Sequence, residues 1–259
     1  MIVSPPLYIY GMTESPSTKF IALVTIVAAP FALGAFLLAW APAQQFEKTD
    51  PRGDGYVQPR SISDLVEKTQ ESTVTVFCEP NKKDFTLGTA WAIDLPNGVE
   101  KEFPATLITN HHVIKKCIGL EGKLTVALLY KEKVRARIVK WDEKNDLAVL
   151  AADLDIPTLG LSEYEPWPGY WPMALGSADG YEGSVAFGTV LNGTNDEIFL
   201  TTNISHGNSG GPVVDNEGNV VGVVTWGSTT EQYNGAKSLN AFCAEILKCE
   251  GKYYWKRNE

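Results

Sequence analysis

Histidine is scarce in this chain. Only three occur in 259 residues: His111, His112 and His206. Cysteine is nearly as rare, with Cys78, Cys117, Cys243 and Cys249. No C-x-x-C pair and no close Cys/His pairing is present, which argues against a zinc or other metal centre, and no cofactor is expected. An even number of cysteines suits an exported chain with two disulfides, for which three connectivities are open. A Lys/Arg-rich block is also missing. Lys and Arg total 22 against 31 Asp and Glu, a formal charge of -9, so a nucleic-acid partner is not expected. The acidic balance bears on solubility rather than on substrate. Neither an internal repeat nor a low-complexity tract is found, and 44% hydrophobic with 20% charged residues is ordinary globular composition.

Charge is absent altogether from residues 20–43, "FIALVTIVAAPFALGAFLLAWAPA". At ~1.5 Å per residue such a run spans the ~30 Å hydrocarbon core. Pro30 and Gly34 are tolerated in a membrane helix. The segment reads as a transmembrane anchor following a tail of residues 1–19. A cleaved leader is the alternative, with "APA" (41–43) as a small-x-small cleavage site, although the run exceeds the usual leader core. Either reading sends the following chain out of the cytoplasm. Residues 44–60, "QQFEKTDPRGDGYVQPR", are polar and turn-rich and read as a linker. "SISDLVEKTQES" (61–72) predicts a short helix with Ser61 as N-cap and Ile62, Leu65 and Val66 on one face.

From Thr73 the hydrophobic period becomes two. Strand-like runs are "TVTVFC" (73–78), "GTAWAIDL" (88–95), "ATLITN" (105–110), "KLTVALL" (123–129), "VRARIVKWD" (134–142) and "LAVLAAD" (147–153). A second series comprises "YWPMALG" (170–176), "GSVAFGTVLN" (183–192), "IFLTT" (198–202), "PVVD" (212–215) and "NVVGVVTWG" (219–227). Short strands at near-regular spacing indicate a sandwich or barrel. The two groups suggest two β-barrels, one over about 72–155 and one over about 156–240. "LNAFCAEILKC" (239–249) has helical spacing.

Chemistry concentrates at "HGNSGGP" (206–212). Such a stretch suits a turn, since Gly, Asn and Ser dominate turns. It also suits a nucleophilic serine, which needs a nearby base and a carboxylate to fix that base. His111 and His112 end the strand "TLITN", and Asp146 heads the apolar strand "LAVLAA". The chain order His, Asp, Ser is that of the chymotrypsin arrangement.

"TNHHV" (109–113), "NDLAVL" (145–150) and "GNSGGP" (207–212) resemble, in order, the three catalytic motifs of chymotrypsin-fold serine proteases, most closely the HtrA/Deg branch. "ISDLVEKTQESTVTV" (62–76) resembles the entry helix and first strand of that branch. "PGYWPMALGS" (168–177) resembles the strand leading into the second barrel. The resemblance covers about residues 61–245. It implies an all-β fold of two packed six-stranded antiparallel barrels, with short N- and C-terminal helices. It implies a serine endopeptidase acting on proteins or peptides. His112 matches the base, Asp146 the orienting carboxylate and Ser209 the nucleophile, while His111 fills a variable slot. Gly207, Asn208 and Ser209 match the oxyanion loop. Asn203 and Ile204 match the base of the specificity pocket. Thr225, Trp226 and Gly227 match the strand that pairs with substrate, and Thr225 is expected to bond Asp146. With two barrels assumed, Cys78 and Cys117 share the first and are expected to pair, leaving Cys243 with Cys249.

Three departures qualify the resemblance. Asn208 stands where digestive enzymes carry an Asp that receives a new N-terminal ammonium, so cleavage-driven activation is not expected, and residues before Ser61 are expected to be dispensable. His206 replaces a Pro of the HtrA pattern and is expected to be exposed. After the terminal helix no room is left for a PDZ domain, so no PDZ-mediated partner is expected. No acid falls at the pocket positions, which favours a small or medium apolar side chain before the scissile bond. A non-catalytic protease-fold protein that captures peptides is the rival function. A secreted esterase would rather show G-x-S-x-G between a strand and a helix.

Overall fold

In each of three strands, β2 (Thr86–Ala92), β3 (Ala105–Thr109) and β6 (Leu147–Ala152), both faces are apolar. A half-exposed strand would alternate apolar with polar. The reason is that these strands form a wall shared by two cores. Ala90, Leu107, Ala148 and Leu150 point into one core, and Trp91, Ile108, Leu147 and Val149 into the next. Each large side chain so buried contributes on the order of 1.5–3 kcal/mol.

A computed structural model of the protein describes residues 54–95, 102–228 and 230–248. With β1 (Thr73–Cys78), β4 (Leu124–Ala127) and β5 (Val134–Asp142), the three wall strands close a six-stranded antiparallel barrel in the order β1-β2-β3-β6-β5-β4. The expected first barrel is therefore present. The second half is β7 (Met173–Ala178), β8 (Tyr181–Phe187), β9 (Val190–Gly193), β10 (Glu197–Leu200), β11 (Pro212–Val214), β12 (Val220–Gly227) and β13 (Asn234–Ser238). These form one seven-stranded sheet, β8-β7-β11-β12-β13-β10-β9. This corrects the expectation of a second six-stranded barrel. The run 183–192 breaks at Gly188 into two strands, where a Cβ would strike the Thr202 backbone. β13, "NGAKS", has no β-branched or aromatic residue to mark it. It forms because its neighbours on both sides supply ladders, with β12 and with β10.

The entry helix α1 (Ile62–Glu71) starts as expected, with Ser61 Oγ accepting from Asp64 N at 3.3 Å. Its buried face is Leu65 and Thr69, whereas Ile62 is exposed. The last element begins as α3 (Leu239–Ala241) and continues as a π-helical turn, Phe242–Leu247. Phe242 packs against Trp91 at 6.0 Å between ring centroids and seals the core between the barrel and the sheet. Cys78 and Cys117 are disulfide-bonded, with Cα atoms 5.8 Å apart. Cys243 is disulfide-bonded as well, and its expected partner Cys249 lies outside the described residues.

The expected transmembrane segment, residues 20–43, also lies outside the described residues. Among the described residues no helix is long and apolar enough to cross a membrane. The end of the expected linker is not free chain. Asn216 Nδ2 donates to Asp54 O at 2.9 Å and to Val57 O at 2.6 Å, and Trp171 N donates to Gly55 O at 2.8 Å. Residues 54–57 are thus strapped to Trp171 and, through Asn216, to the turn between β11 and β12.

Candidate active site

The ends of β3 and β6 meet because of register. In the antiparallel β3–β6 pair Thr109 lies opposite Ala148. The residues just after β3 therefore sit beside those just before β6. Asn110 secures the junction, its Nδ2 donating to Asp146 O at 2.8 Å. His111 and His112 open the short helix α2 (His111–Ile114). His112 Nδ1 lies 2.6 Å from Asp146 Oδ2, and His112 N donates to Asp146 Oδ1 at 2.8 Å. Both carboxylate oxygens are thus committed to one residue, which fixes the imidazole plane and presents Nε2 outward. Asp146 reaches this position at φ 55°, a left-handed conformation that Asp tolerates better than most residues. Asp142 organises the same turn by accepting from Lys144 N and Asn145 N.

The neighbouring His111 is buried and His112 is not, with the side chain of His112 45% exposed. His206 is exposed, as expected.

Ser209 is half-buried at the tip of the loop before β11. Its carbonyl accepts from Thr89 N at 2.8 Å on β2. Gly88 separates it from the histidine turn: a Cβ there would meet the Val113 side chain on one side and Ser209 O, at 3.1 Å, on the other. Ser209 O and Val113, the residue after His112, therefore flank the same glycine. Among the described residues the Ser209 hydroxyl has no hydrogen-bond partner, so the Ser–His link is not made in this state. Such links are often loose without substrate.

Hydrogen bonding around Ser209 is otherwise used up in one sense. The carbonyls of residues 206, 207, 208 and 209 accept from Asp179 N, Thr89 Oγ1, Gly211 N and Thr89 N respectively. The amides of Asn208, Gly210 and Gly211 donate to Ser205 O, Val224 O and Asn208 O. Among the described residues no acceptor takes the amides of Gly207 and Ser209. In a trans peptide C=O and N–H point oppositely. Tying the His206 carbonyl to Asp179 N therefore turns the Gly207 N–H the other way. Two amide donors on one loop are the donor set an oxyanion requires. Gly207 holds this form at φ 93°, and a Cβ on it would collide with Ser177 O.

Asn208 is buried, and its Oδ1 has no partner among the described residues. Its side chain lies against Gly176, where a Cβ would meet Oδ1 at 2.8 Å, and its backbone N–H is already donated to Ser205 O. The structure thus separates Asn208 from the donor pair with which it was grouped.

Beyond Ser209, β12 runs past the loop. On one side Trp226 and Gly227 pair with Gly235 and Asn234 of β13. On the other side β11 ends at Pro212, opposite Val223. Trp226 and Gly227 therefore present an unpaired strand edge beside the loop, the geometry that adds an extended peptide as a further strand. Trp226 packs with Phe199 and Tyr233, at 6.3 and 5.9 Å between centroids. Ile204 O would lie 3.2 Å from a Cβ at Gly227, so Ile204 and Gly227 face each other, while Asn203 is exposed. The expected Thr225–Asp146 bond is replaced. Thr225 Oγ1 donates to Val223 O at 3.0 Å and lies 3.4 Å from Asn110 Nδ2. Asn110, not Thr225, touches Asp146. The signal for Asn110 was present in the motif "TNHHV", because a buried Asn beside a catalytic motif needs partners.

A family model described as "Trypsin-like peptidase domain" matches residues 88–223. The chain is 36% identical over 127 residues to a "Probable periplasmic serine endoprotease DegP-like" of Hahella chejuensis, covering 45% of this chain and 26% of that protein. It is 33% identical over 158 residues to a protein of the same description from Chlamydia muridarum, covering 56% and 29%. The chain thus spans less than a third of the length of these relatives. A crystal structure of the serine endoprotease from Yersinia pestis superposes with TM-score 0.60 at 23% identity, over 75% of this chain and 69% of that one, which shows the shared fold. The matched region makes up over half of the chain and includes His112, Asp146 and Ser209, and on that ground the chain belongs to the trypsin-like peptidase domain family.

Proposed function

We propose that the protein is a serine endopeptidase that cleaves proteins or peptides through an acyl-enzyme. The supporting observation is the pair of amides, Gly207 N and Ser209 N, left without acceptors beside an Asp-oriented His112. Ser209 Oγ attacks the scissile carbonyl as His112 Nε2 takes its proton. Asp146 steadies the resulting imidazolium, and the two amides receive the developing oxyanion. The proton then passes from His112 to the leaving amine, and water repeats the sequence to free the acid. Substrate lies as an added strand along Trp226–Gly227, with its side chain before the scissile bond between Ile204 and Gly227. No acid stands in that gap, so a small or medium apolar side chain fits best.

The uncharged run at 20–43 supports a membrane anchor. The disulfides and the word "periplasmic" in the relatives' descriptions support action outside the cytoplasm. The rival reading is a non-catalytic protease-fold protein that captures peptides. A fluorophosphonate probe separates the two. Labelling that is lost in S209A and in H112A, but kept in H111A, supports the peptidase. An unlabelled, folded wild-type protein refutes it.

A further inference from the structure

Thr89 lies in the middle of β2, on the barrel, yet its polar groups face the loop that carries Ser209. It is fully buried. Its Oγ1 is 2.7 Å from Gly207 O and 3.0 Å from Ser177 N. The direction of these bonds is settled by inventory. Ser177 N can only donate, so it occupies a lone pair of the hydroxyl. The single hydroxyl proton is then left for the Gly207 carbonyl, which can only accept. The main chain of Thr89 continues the pattern, its N–H donating to Ser209 O at 2.8 Å and its carbonyl accepting from Thr109 Oγ1 at 2.7 Å. One residue of the barrel therefore holds the carbonyls on both sides of Asn208 and is tied to the strand that ends at the histidine turn. Ser177 is itself braced, with Thr75 Oγ1 and Ser177 Oγ 2.6 Å apart.

We infer that Thr89 is a positioning residue for the oxyanion hole: its hydroxyl fixes the 207–208 peptide, which joins the two peptides that carry the Gly207 and Ser209 amides. Gly207 has no Cβ to restrict it, so the loop has no local reason to keep this conformation. The conformation is chosen by the loop's hydrogen bonds, those accepted by its carbonyls among them. Asp179 N holds residue 206 from within the sheet half. Thr89 holds residues 207 and 209 from the barrel, so the hole is assembled only when barrel and sheet are docked. Asn208 cannot substitute, because its Oδ1 accepts from no described donor.

The inference rests on Ser209 being the nucleophile. Its test reads the rate of covalent labelling of the full-length protein by a fluorophosphonate, resolved into kinact and KI. S209A is the control for the underlying reading: continued labelling of S209A defeats that reading, whatever Thr89 does. T89V keeps the shape and removes the hydroxyl. Its kinact should fall about 30- to 100-fold, below the full loss of a donor, with KI changed less than threefold. T89S keeps the hydroxyl and should label within threefold of wild type. Near-UV circular dichroism and the melting temperature report folding. If T89V does not fold, T89A carries the same expectation without a buried extra methyl. A folded T89V or T89A with kinact within threefold of wild type overturns the inference, and so does a T89S as slow as T89V. Failure of both T89V and T89A to fold assigns Thr89 to the fold and overturns it too.

Discussion

Replacing Asp146 by Asn tests how the carboxylate works. Both carboxylate oxygens are engaged by His112, Oδ1 with the backbone amide at 2.8 Å and Oδ2 with Nδ1 at 2.6 Å. An Asn at 146 has one acceptor oxygen and one NH₂ group. The backbone N–H of His112 cannot change its role, so the amide oxygen must face it. That places the NH₂ against Nδ1. Two donors cannot share a hydrogen bond, so His112 moves its proton to Nε2 and cannot accept from Ser209. Asn tolerates the left-handed conformation that Asp146 holds at φ 55° nearly as well as Asp does, so the turn should survive. The loss in kcat should therefore approach the ~10⁴ expected for a wrong tautomer, about 5.4 kcal/mol of transition-state stabilisation at ~1.36 kcal/mol per decade. Steady-state hydrolysis of a fluorogenic peptide by matched wild-type and D146N protein measures it, with circular dichroism confirming the fold. A folded D146N that keeps more than a tenth of wild-type kcat would refute this tautomer argument.

G207A should lose about 10²-fold or more in kcat, because a Cβ at φ 93° would collide with Ser177 O and displace one oxyanion donor, a change worth ~10²–10³; unchanged turnover would remove Gly207 from the hole. Removing the Cys78–Cys117 bridge as C78A/C117A opens a loop of 39 residues and should cost about 4 kcal/mol by chain entropy, read by urea unfolding, with a loss below ~1 kcal/mol counting against it. Asp215 caps the β11–β12 turn by accepting from Glu217 N and Asn219 N. Burial raises its pKa, opposed by hydrogen bonds from Ser162 and from the turn amides. A raised acid pKa means the folded state holds the proton longer, so the stability it contributes is present at low pH and is lost as pH climbs from the usual 3.8 through the raised value. Relative to D215N, which does not titrate, the wild type should lose melting temperature over that interval, and a gain would reverse the assignment.

Much of this protein was legible because period and motif are local properties. Runs of β-forming residues bounded by turn residues located the barrel strands, and β1 and β5 fall where "TVTVFC" and "VRARIVKWD" place them. Ser61 was readable as a cap because its bond to Asp64 N spans three residues. The motifs likewise marked His112, Asp146 and Ser209, since each lies in a short run whose residue types suit its chemistry.

Non-local contacts decided the rest. β13 has no strand former and exists because β10 and β12 offer it ladders on both sides. Residues 54–57 read as solvated linker, yet Asn216, far along the chain, ties down two of their carbonyls. Thr225 was expected to touch Asp146, but the backbone of its own strand takes its proton, and Asn110 occupies the place. Thr89 looked like any strand threonine, because nothing in "GTAWAI" says that its hydroxyl will meet a carbonyl 118 residues away. Sequence determines which residues can do chemistry, because side-chain type and local period are written in it. The orientation of a flexible glycine peptide is not, because it depends on donors that only the docking of barrel against sheet brings within reach.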